Sequence, residues 1–413
     1  MKKLAIVGSG IAGLGAAYLL RERYDITVFE AGSYAGGHTN TVDIPLAGGG
    51  VQSVDTGFIV FNEKTYPNLI ALFRELGVDY ADSNMSFAQY NTRTGLQWCS
   101  RGLSGLFAQK KNLFSPRYFR FLLEANRFNT GLEKDLENGE VYGSFGEYLR
   151  RKGFSDFFAE NYIIPMTAAV WSTPPDQMLA FPARTFARFF VNHGFLSLYS
   201  GLQWKYVVGG SRSYVNKILG KFRGRILLNT PVQAVEESPT GVVVTSREGK
   251  SEFDGCLIAA HADQALRMLK SPTAEQGRLL APFKYERNVA VLHSDEAVMQ
   301  PLRKTWAAWN FKSGGGKSTL VYYMNLLQRI PGSVNYFVSL NDFAPIAPDK
   351  TYASFNYEHP LFDETTEKAQ AELPKLNESG KIFFSGSYFR YGFHEDAYLS
   401  AVNAAETIAR RLV

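Results

Sequence analysis

The opening of the chain constrains its fold more than any other stretch. Lys3 to Val7 is a short apolar run, and GSGIAG follows it, placing Gly8, Gly10 and Gly13 in a GxGxxG spacing. Apolar residues then recur at Leu14, Ala17, Tyr18 and Leu20, the period of a helix. A second run, Asp25 to Phe29, ends in Glu30. Strand, glycine turn, helix, strand and acid in this order predict a βαβ unit that holds a dinucleotide. Gly8 permits the tight turn, Gly10 lets a pyrophosphate approach the backbone, and Gly13 lets helix and strand pack closely. The helix start offers unpaired N–H groups and a positive dipole end to phosphates. Glu30 is placed to accept hydrogen bonds from ribose hydroxyls, each worth about 1.5–3 kcal/mol because the acceptor is charged.

Composition sets the wider frame. A length of 413 residues predicts two to three domains, at about 150 residues each. With 45% hydrophobic and 20% charged residues, the chain is neither disordered nor fibrous. The net charge of +5 is too mild to call for nucleic acid. The 31 Phe, 22 Tyr and 5 Trp supply walls for an apolar, planar pocket. Cys99 and Cys256 are the only cysteines, which excludes a disulfide framework and a cysteine zinc site, and no metal is expected. Cys256 lies in a strand run and reads as core. The N-terminus runs into glycines instead of an apolar signal core, so no signal peptide is expected. The longest apolar run, Tyr162 to Trp171, falls short of the ~20 residues of a membrane span. A cytoplasmic location, soluble or peripheral at the membrane's inner face, is the expectation.

Further along, Thr65 to Leu76 reads as a helix with Thr65 as N-cap, Pro67 in the first turn and Gly77 as C-cap. Residues 80–105 look like strands. Ser115 to about Gly153 is helical, with Ser144 and Glu147 as a capping box. Residues 155–200 are aromatic and mostly helical, interrupted at Pro165 and at Pro174-Pro175. Arg225–Leu228, Val232–Glu236, Gly241–Thr245 and Gly255–Ala259 read as successive strands. Residues 285–360 are strand-rich, Lys381 to Phe384 is a final buried strand, and Ala397 to Arg411 a closely packed helix.

Several longer segments carry a pattern: GSGIAGLGAAYLL, FEAGSYAGGHTNTV, DTGFIVFNEKTYPN, IIPMTAAVWS, GGSRSYVNKI and SGSYFRYGFHEDA. Over nearly the whole chain they resemble the flavin-containing amine-oxidase superfamily. More narrowly they resemble the branch that forms the flavin domain of plant cyclopropane fatty-acid synthases, whose bacterial members accompany fatty-acid methyltransferases. The resemblance implies an α/β fold: a Rossmann-like FAD-binding domain from residues 1–78, 206–270 and 378–413, and an α+β substrate domain from 79–205 and 271–377. It implies non-covalent FAD held by Gly8, Ser9, Gly10, Ala12, Gly13, Glu30, Gly37, His38, Val232 and Gly386. It also places the start of the last helix, at Phe393, His394 and Glu395, beside the flavin pyrimidine. His38 stands where many amine oxidases carry Arg, and SGSYFRYGFHED has no cysteine to link the flavin.

The remaining candidates each have two readings. His394 and Glu395 are either a catalytic pair beside flavin and substrate or a capping pair without chemistry. Tyr66 is either a pocket residue or a plain helix start. Trp171 and His193 read as core. Arg117, Arg120 and Arg127, with Lys110 and Lys111 upstream and aromatics between, are either a solvated face or a membrane-surface patch. GGGKST, Gly314 to Thr319, lacks the first glycine of a phosphate loop and reads as a glycine turn. The expected function is hydride transfer from carbon to FAD, on a fatty-acyl lipid chain undergoing desaturation. Amine oxidation or polyene desaturation is the second reading. A flavin-binding partner of a fatty-acid methyltransferase without its own turnover is the third.

Overall fold

The first βαβ unit forms as the glycine spacing predicts. In the computed structural model of the chain, β1 (Lys2–Val7) runs parallel to β2 (Tyr24–Phe29), and α1 (Ile11–Leu20) joins them. Leu4, Ala5 and Ile6 are fully buried, which is the mark of a parallel strand covered on both faces. Of α1 only Leu19 is exposed, so this helix is packed all round. The structure describes residues 1–171, 178–192, 202–314, 317–341 and 345–412. The expectations for Pro174-Pro175, His193 and the Trp171 side chain lie outside the described residues.

Along the chain follow α2 (Pro67–Leu76), β3 (Phe87–Asn91), β4 (Leu96–Cys99), α3 (Pro116–Glu137), α4 (Ala183–Asn192), β5 (Arg225–Leu227) and β6 (Gly255–Ile258). Then come β7 (Lys284–His293), β8 (Trp309–Gly314), β9 (Lys317–Tyr323), β10 (Phe337–Leu340), β11 (Thr351–Leu361), β12 (Ile382–Phe384) and α5 (His394–Arg411). A parallel sheet has the order β5-β2-β1-β6-β12, with all its strands inside residues 1–78, 206–270 and 378–413. A seven-stranded sheet has the order β11-β7-β10-β9-β8-β3-β4, with its strands inside 79–205 and 271–377. In it only β3 and β8 pair in parallel.

Local signals hold at most element ends. Ser144 and Glu147 form the expected capping box, and Gly153 takes the left-handed conformation (φ +65°) that ends the helix. Gly314 and Lys317 face each other across β8 and β9, so GGGKST is a hairpin turn whose two middle residues lie outside the described set. Three expectations change. Gly102–Leu106 is a short helix inside the stretch expected to be strands. Gly249–Phe253 is an added strand; its polar GKSEF sequence hides it, and pairing with Val242–Ser246 alone makes it a strand. Thr65 does not cap α2: its hydroxyl accepts from Asn62 instead, and Tyr66 occupies the cap position.

Helix α1 is pressed against β1 by missing side chains. A Cβ at Gly13 would sit 1.9 Å from the Gly8 carbonyl oxygen, and one at Gly15 would sit 2.7 Å from the Tyr398 ring of α5. Gly13→Ala is therefore expected to destabilise the chain by about 2–3 kcal/mol even without cofactor. Thermal melts of the cofactor-free protein check this; an unchanged melting temperature would show that α1 can lift off β1.

Candidate active site

A cavity of about 750 Å³ opens at the carboxyl ends of β1 and β2, where parallel sheets bind ligands. Gly8, Ser9, Gly10, Ala12, Glu30, Gly37, His38, Val232, Gly386, Phe393, His394 and Tyr66 all line it. Gly13 does not; it serves the packing just described, which corrects its expected contact with cofactor. Gly8 takes φ +100°, a conformation that L side chains rarely adopt, and a Cβ there would sit 2.6 Å from the Ala259 carbonyl oxygen. A Cβ on Gly10 would meet nothing within 4 Å, so it would project into free space above the start of α1. No side chain caps α1 and no acid sits in its first turn. That open, positive helix end is the cradle a pyrophosphate requires.

Glu30 holds the rim of this cradle. Its Oε2 accepts from the Ser9 amide (2.9 Å) and hydroxyl (2.5 Å), and its Oε1 from the Gly32 amide (2.7 Å). Part of its acceptor capacity is thus used to shape the glycine turn, and its remaining lone pairs are left for ribose hydroxyls. His38 lies flat on Tyr357 (centroids 4.9 Å, 28°), with its buried Nε2 unpaired. An orphaned imidazole nitrogen beside an open helix start fits a dinucleotide that extends past Gly37. The cradle, the acid and this orphan would together hold an FAD.

His359 faces His38 at 5.3 Å, and its tautomer is fixed from the backbone. The Val289 amide donates to Asn341 Oδ1 (2.9 Å). Asn341 Nδ2 donates to Asn288 Oδ1 (2.7 Å), and Asn288 Nδ2 donates to His359 Nδ1 (3.1 Å). A backbone N–H can only donate, so each amide orientation follows, and His359 carries its proton on Nε2. Burial pushes His359 down to about 4. The cavity therefore meets a neutral N–H donor there. Neither His359, Tyr357 nor His261 was singled out in the sequence. The signal was the alternation of Tyr357 and His359, which puts both on one face of β11.

The entry to α5 separates the expected catalytic residues. His394 stacks on Phe58 (3.8 Å, 6°), and its Nε2 contacts the Tyr214 hydroxyl (2.7 Å) and Thr39 Oγ1 (3.2 Å). Burial pushes it down to about 3, so at neutral pH it is an uncharged ring, not a titrating proton shuttle. Glu395 does not reach the cavity, which corrects its catalytic assignment. Its carboxylate accepts from the Asn68 amide (3.0 Å), the Asn68 side chain (2.6 Å) and the Leu69 amide (2.9 Å). It caps α2 across 327 residues of sequence, the task expected of Thr65. Asp396, not foreseen, accepts from the Phe393 (3.0 Å) and Tyr391 (3.2 Å) amides and so shapes the cavity-lining turn; burial pushes it up to about 7. Tyr66 is buried in the wall, and burial with the nearby Asp396 and Glu395 carboxylates raises its phenol.

Three outcomes follow from this geometry. Gly10→Ala should leave the melting temperature of the cofactor-free chain unchanged and weaken FAD binding about tenfold or more, because its methyl fills only the cradle; titration of FAD fluorescence reads it. Glu395→Ala should destabilise the chain by about 2 kcal/mol while FAD affinity holds. Burial holds all five described histidines, His38, His261, His293, His359 and His394, below the ordinary imidazole value. They stay neutral when folded and gain protons when unfolded, so their contribution is lost as pH falls below 6.5 toward their folded values. Asp55 and Asp396, raised to about 6 and about 7, act in the opposite sense over the same range. With five imidazoles against two carboxyls, stability should fall between pH 6.5 and about 4.5, by about 1.4 kcal/mol per unit for each imidazole in excess. Melts that rise on acidification would contradict this.

Comparison with known proteins agrees with the site. The profile for flavin containing amine oxidoreductases matches residues 11–298, well over half of the chain. AofH of Mycobacterium tuberculosis, provisionally named a flavin-containing monoamine oxidase, is 25% identical over 271 residues, or 62% of this chain and 56% of its own length. The chain thus spans little more than half of that relative. A 1-hydroxycarotenoid 3,4-desaturase of Flavobacterium is 40% identical over 85 residues, 19% of this chain and 16% of its own. Among solved structures, a putrescine oxidase variant superposes with a TM-score of 0.74 at 16% identity, covering 99% of each chain, which shows a shared fold. Fold, cradle and profile agree: the chain belongs to the flavin-containing amine oxidoreductase family.

Proposed function

We propose that the chain oxidises an apolar carbon chain, with desaturation of a fatty-acyl lipid as its reaction. The cavity wall beyond the cradle carries this reading. Val170, Phe189, Trp309, Tyr322 and Phe362 line it, with Trp309 and Tyr322 edge to face at 5.2 Å. Among the described lining residues the only acids are Glu30, at the cradle, and Glu358, 3.3 Å from His261. An apolar chain packed against these five side chains would be bound by burial and shape.

When bound, FAD supplies the two-electron acceptor. The aromatic wall orients the chain and excludes water, and Phe189, stacked on Phe393 at 4.7 Å, ties that wall to the entry of α5. The N-terminal dipole of α5 stabilises negative charge that develops at its tip. His394, neutral and bonded through Nε2, keeps that tip free of a competing cation. In the balance, the substrate would give up one hydrogen as hydride to the flavin and the neighbouring one as a proton to solvent, with an external oxidant such as dioxygen taking up the electron pair.

The second reading, amine oxidation, draws on the same aromatic pair, since Trp309 and Tyr322 also suit a cation–π contact. It draws further on the monoamine oxidase relative. Anaerobic mixing separates the two. Loss of the oxidised-flavin absorption with fatty-acyl lipids, and a product lighter by two hydrogens in the mass spectrum, is the expected outcome. Bleaching by amines alone would overturn it in favour of the second reading. Bleaching by neither, with tight binding to a fatty-acid methyltransferase, would replace both with an accessory role.

A further inference from the structure

The positive charge of the chain is concentrated in one short stretch. Residues 101–127 hold Arg101, Lys110, Lys111, Arg117, Arg120 and Arg127 against one acid, Glu124. Taking those six from 44 cations and that one from 39 acids leaves 38 of each, so the whole formal charge of +5 resides here. Glu124 does little to offset it at the surface. Its side chain is 8% exposed and turned inward to the Ser155 hydroxyl and Arg120. Lys110 and Lys111 form no ion pair among the described residues.

The same stretch leaves large apolar side chains in water. Phe114 is 87% exposed, Leu103 74% and Leu123 70%, and Leu113 and Phe119 are exposed as well. On α3, Phe119 and Leu123 stand one turn apart, away from the buried row of Tyr118, Phe121, Ala125 and Phe128. The helix thus has one apolar face for the core and a second, smaller one left exposed among the described residues. Single exposed apolar residues need no explanation, but several in one short stretch rich in cations do.

We infer that residues 101–127 form a docking face for an anionic lipid bilayer. Charge complementarity selects this occupant. Leu103, Leu113, Phe114, Phe119 and Leu123 enter the boundary between headgroups and acyl chains, while Lys110, Lys111, Arg117 and Arg120 sit at the level of the lipid phosphates. No helix among the described residues is long and apolar enough to cross a membrane, so the contact is one of adsorption. From this face α3 leads inward: Phe128 packs on Phe186 of α4 at 6.1 Å, and Phe189 of α4 lines the cavity. The inference is independent of the substrate proposed above, because adsorption is read without turnover.

The FAD-loaded full chain is sedimented with vesicles of phosphatidylcholine alone or mixed with phosphatidylglycerol. It is expected to follow the mixed vesicles and to be released at about 0.5 M salt, where charges are screened within a few Å. Lys110→Glu with Lys111→Glu should weaken binding about tenfold or more, and Phe114→Ser with Leu123→Ser by a similar factor. These side chains are exposed, so melting temperature and flavin absorbance should match the parent chain. Three results would overturn the inference: a parent chain left in the supernatant, variants that sediment like the parent, or a vesicle-free dimer that Phe114→Ser dissociates. The last would assign the face to a second copy of the chain.

Discussion

The close approach of Gly13 to the Gly8 carbonyl sets everything else in the site. It fixes the height and angle at which α1 leaves β1, and so aims an uncapped helix end into the cavity. The acid at the end of β2 is then in reach, and through Ser9 it braces the same turn. Dipole, open backbone and acid converge on one spot because a single pair of backbone atoms is allowed to touch. The parallel sheet supplies rigidity behind it, and the seven-stranded sheet supplies the aromatic wall in front.

A second constraint works from the other end of the chain. The first turn of α5 carries three consecutive polar residues with three separate duties. His394 faces the cavity, Glu395 caps α2, and Asp396 holds the backbone turn before it. Because Tyr66 sits at the start of α2, the Glu395 carboxylate ties the wall containing Tyr66 to the turn containing Phe393. The site therefore depends on the C-terminal helix for its shape as much as for its chemistry.

What the sequence reveals is mostly local. The βαβ unit, the Ser144–Glu147 box and the final strand and helix rest on spacings within a few residues, and each forms. The contribution of a residue like Glu395 is set by a partner 327 positions away, and no local pattern shows it. Thr65 illustrates the converse: it has the right type at the right place, yet Asn62 captures it and a distant carboxylate takes over its work. The cavity-lining glycine turns were legible because their residues cluster in sequence. The aromatic wall was not, because Trp309, Tyr322 and Phe189 meet only after β8, β9 and α4 have been placed by the sheet and helix packing.

The amide chain behind His359 has a further consequence. Its outermost member, Asn341, is exposed and in a left-handed conformation (φ +53°) at the end of β10. Deamidation there would exchange its donating Nδ2 for an acceptor and favour turning the Asn288 amide around, against the Glu286 carbonyl that holds its Nδ2 at 3.1 Å. Nδ1 of the buried imidazole would then have to donate, leaving a lone pair where the cofactor pocket now finds N–H. Slow chemical ageing at the surface would in this way reverse the polarity of one wall of the pocket without moving a backbone atom. The ring-nitrogen resonances of an Asn341→Asp chain would show the exchange, and an unchanged spectrum would mean that the relay ends at Asn288.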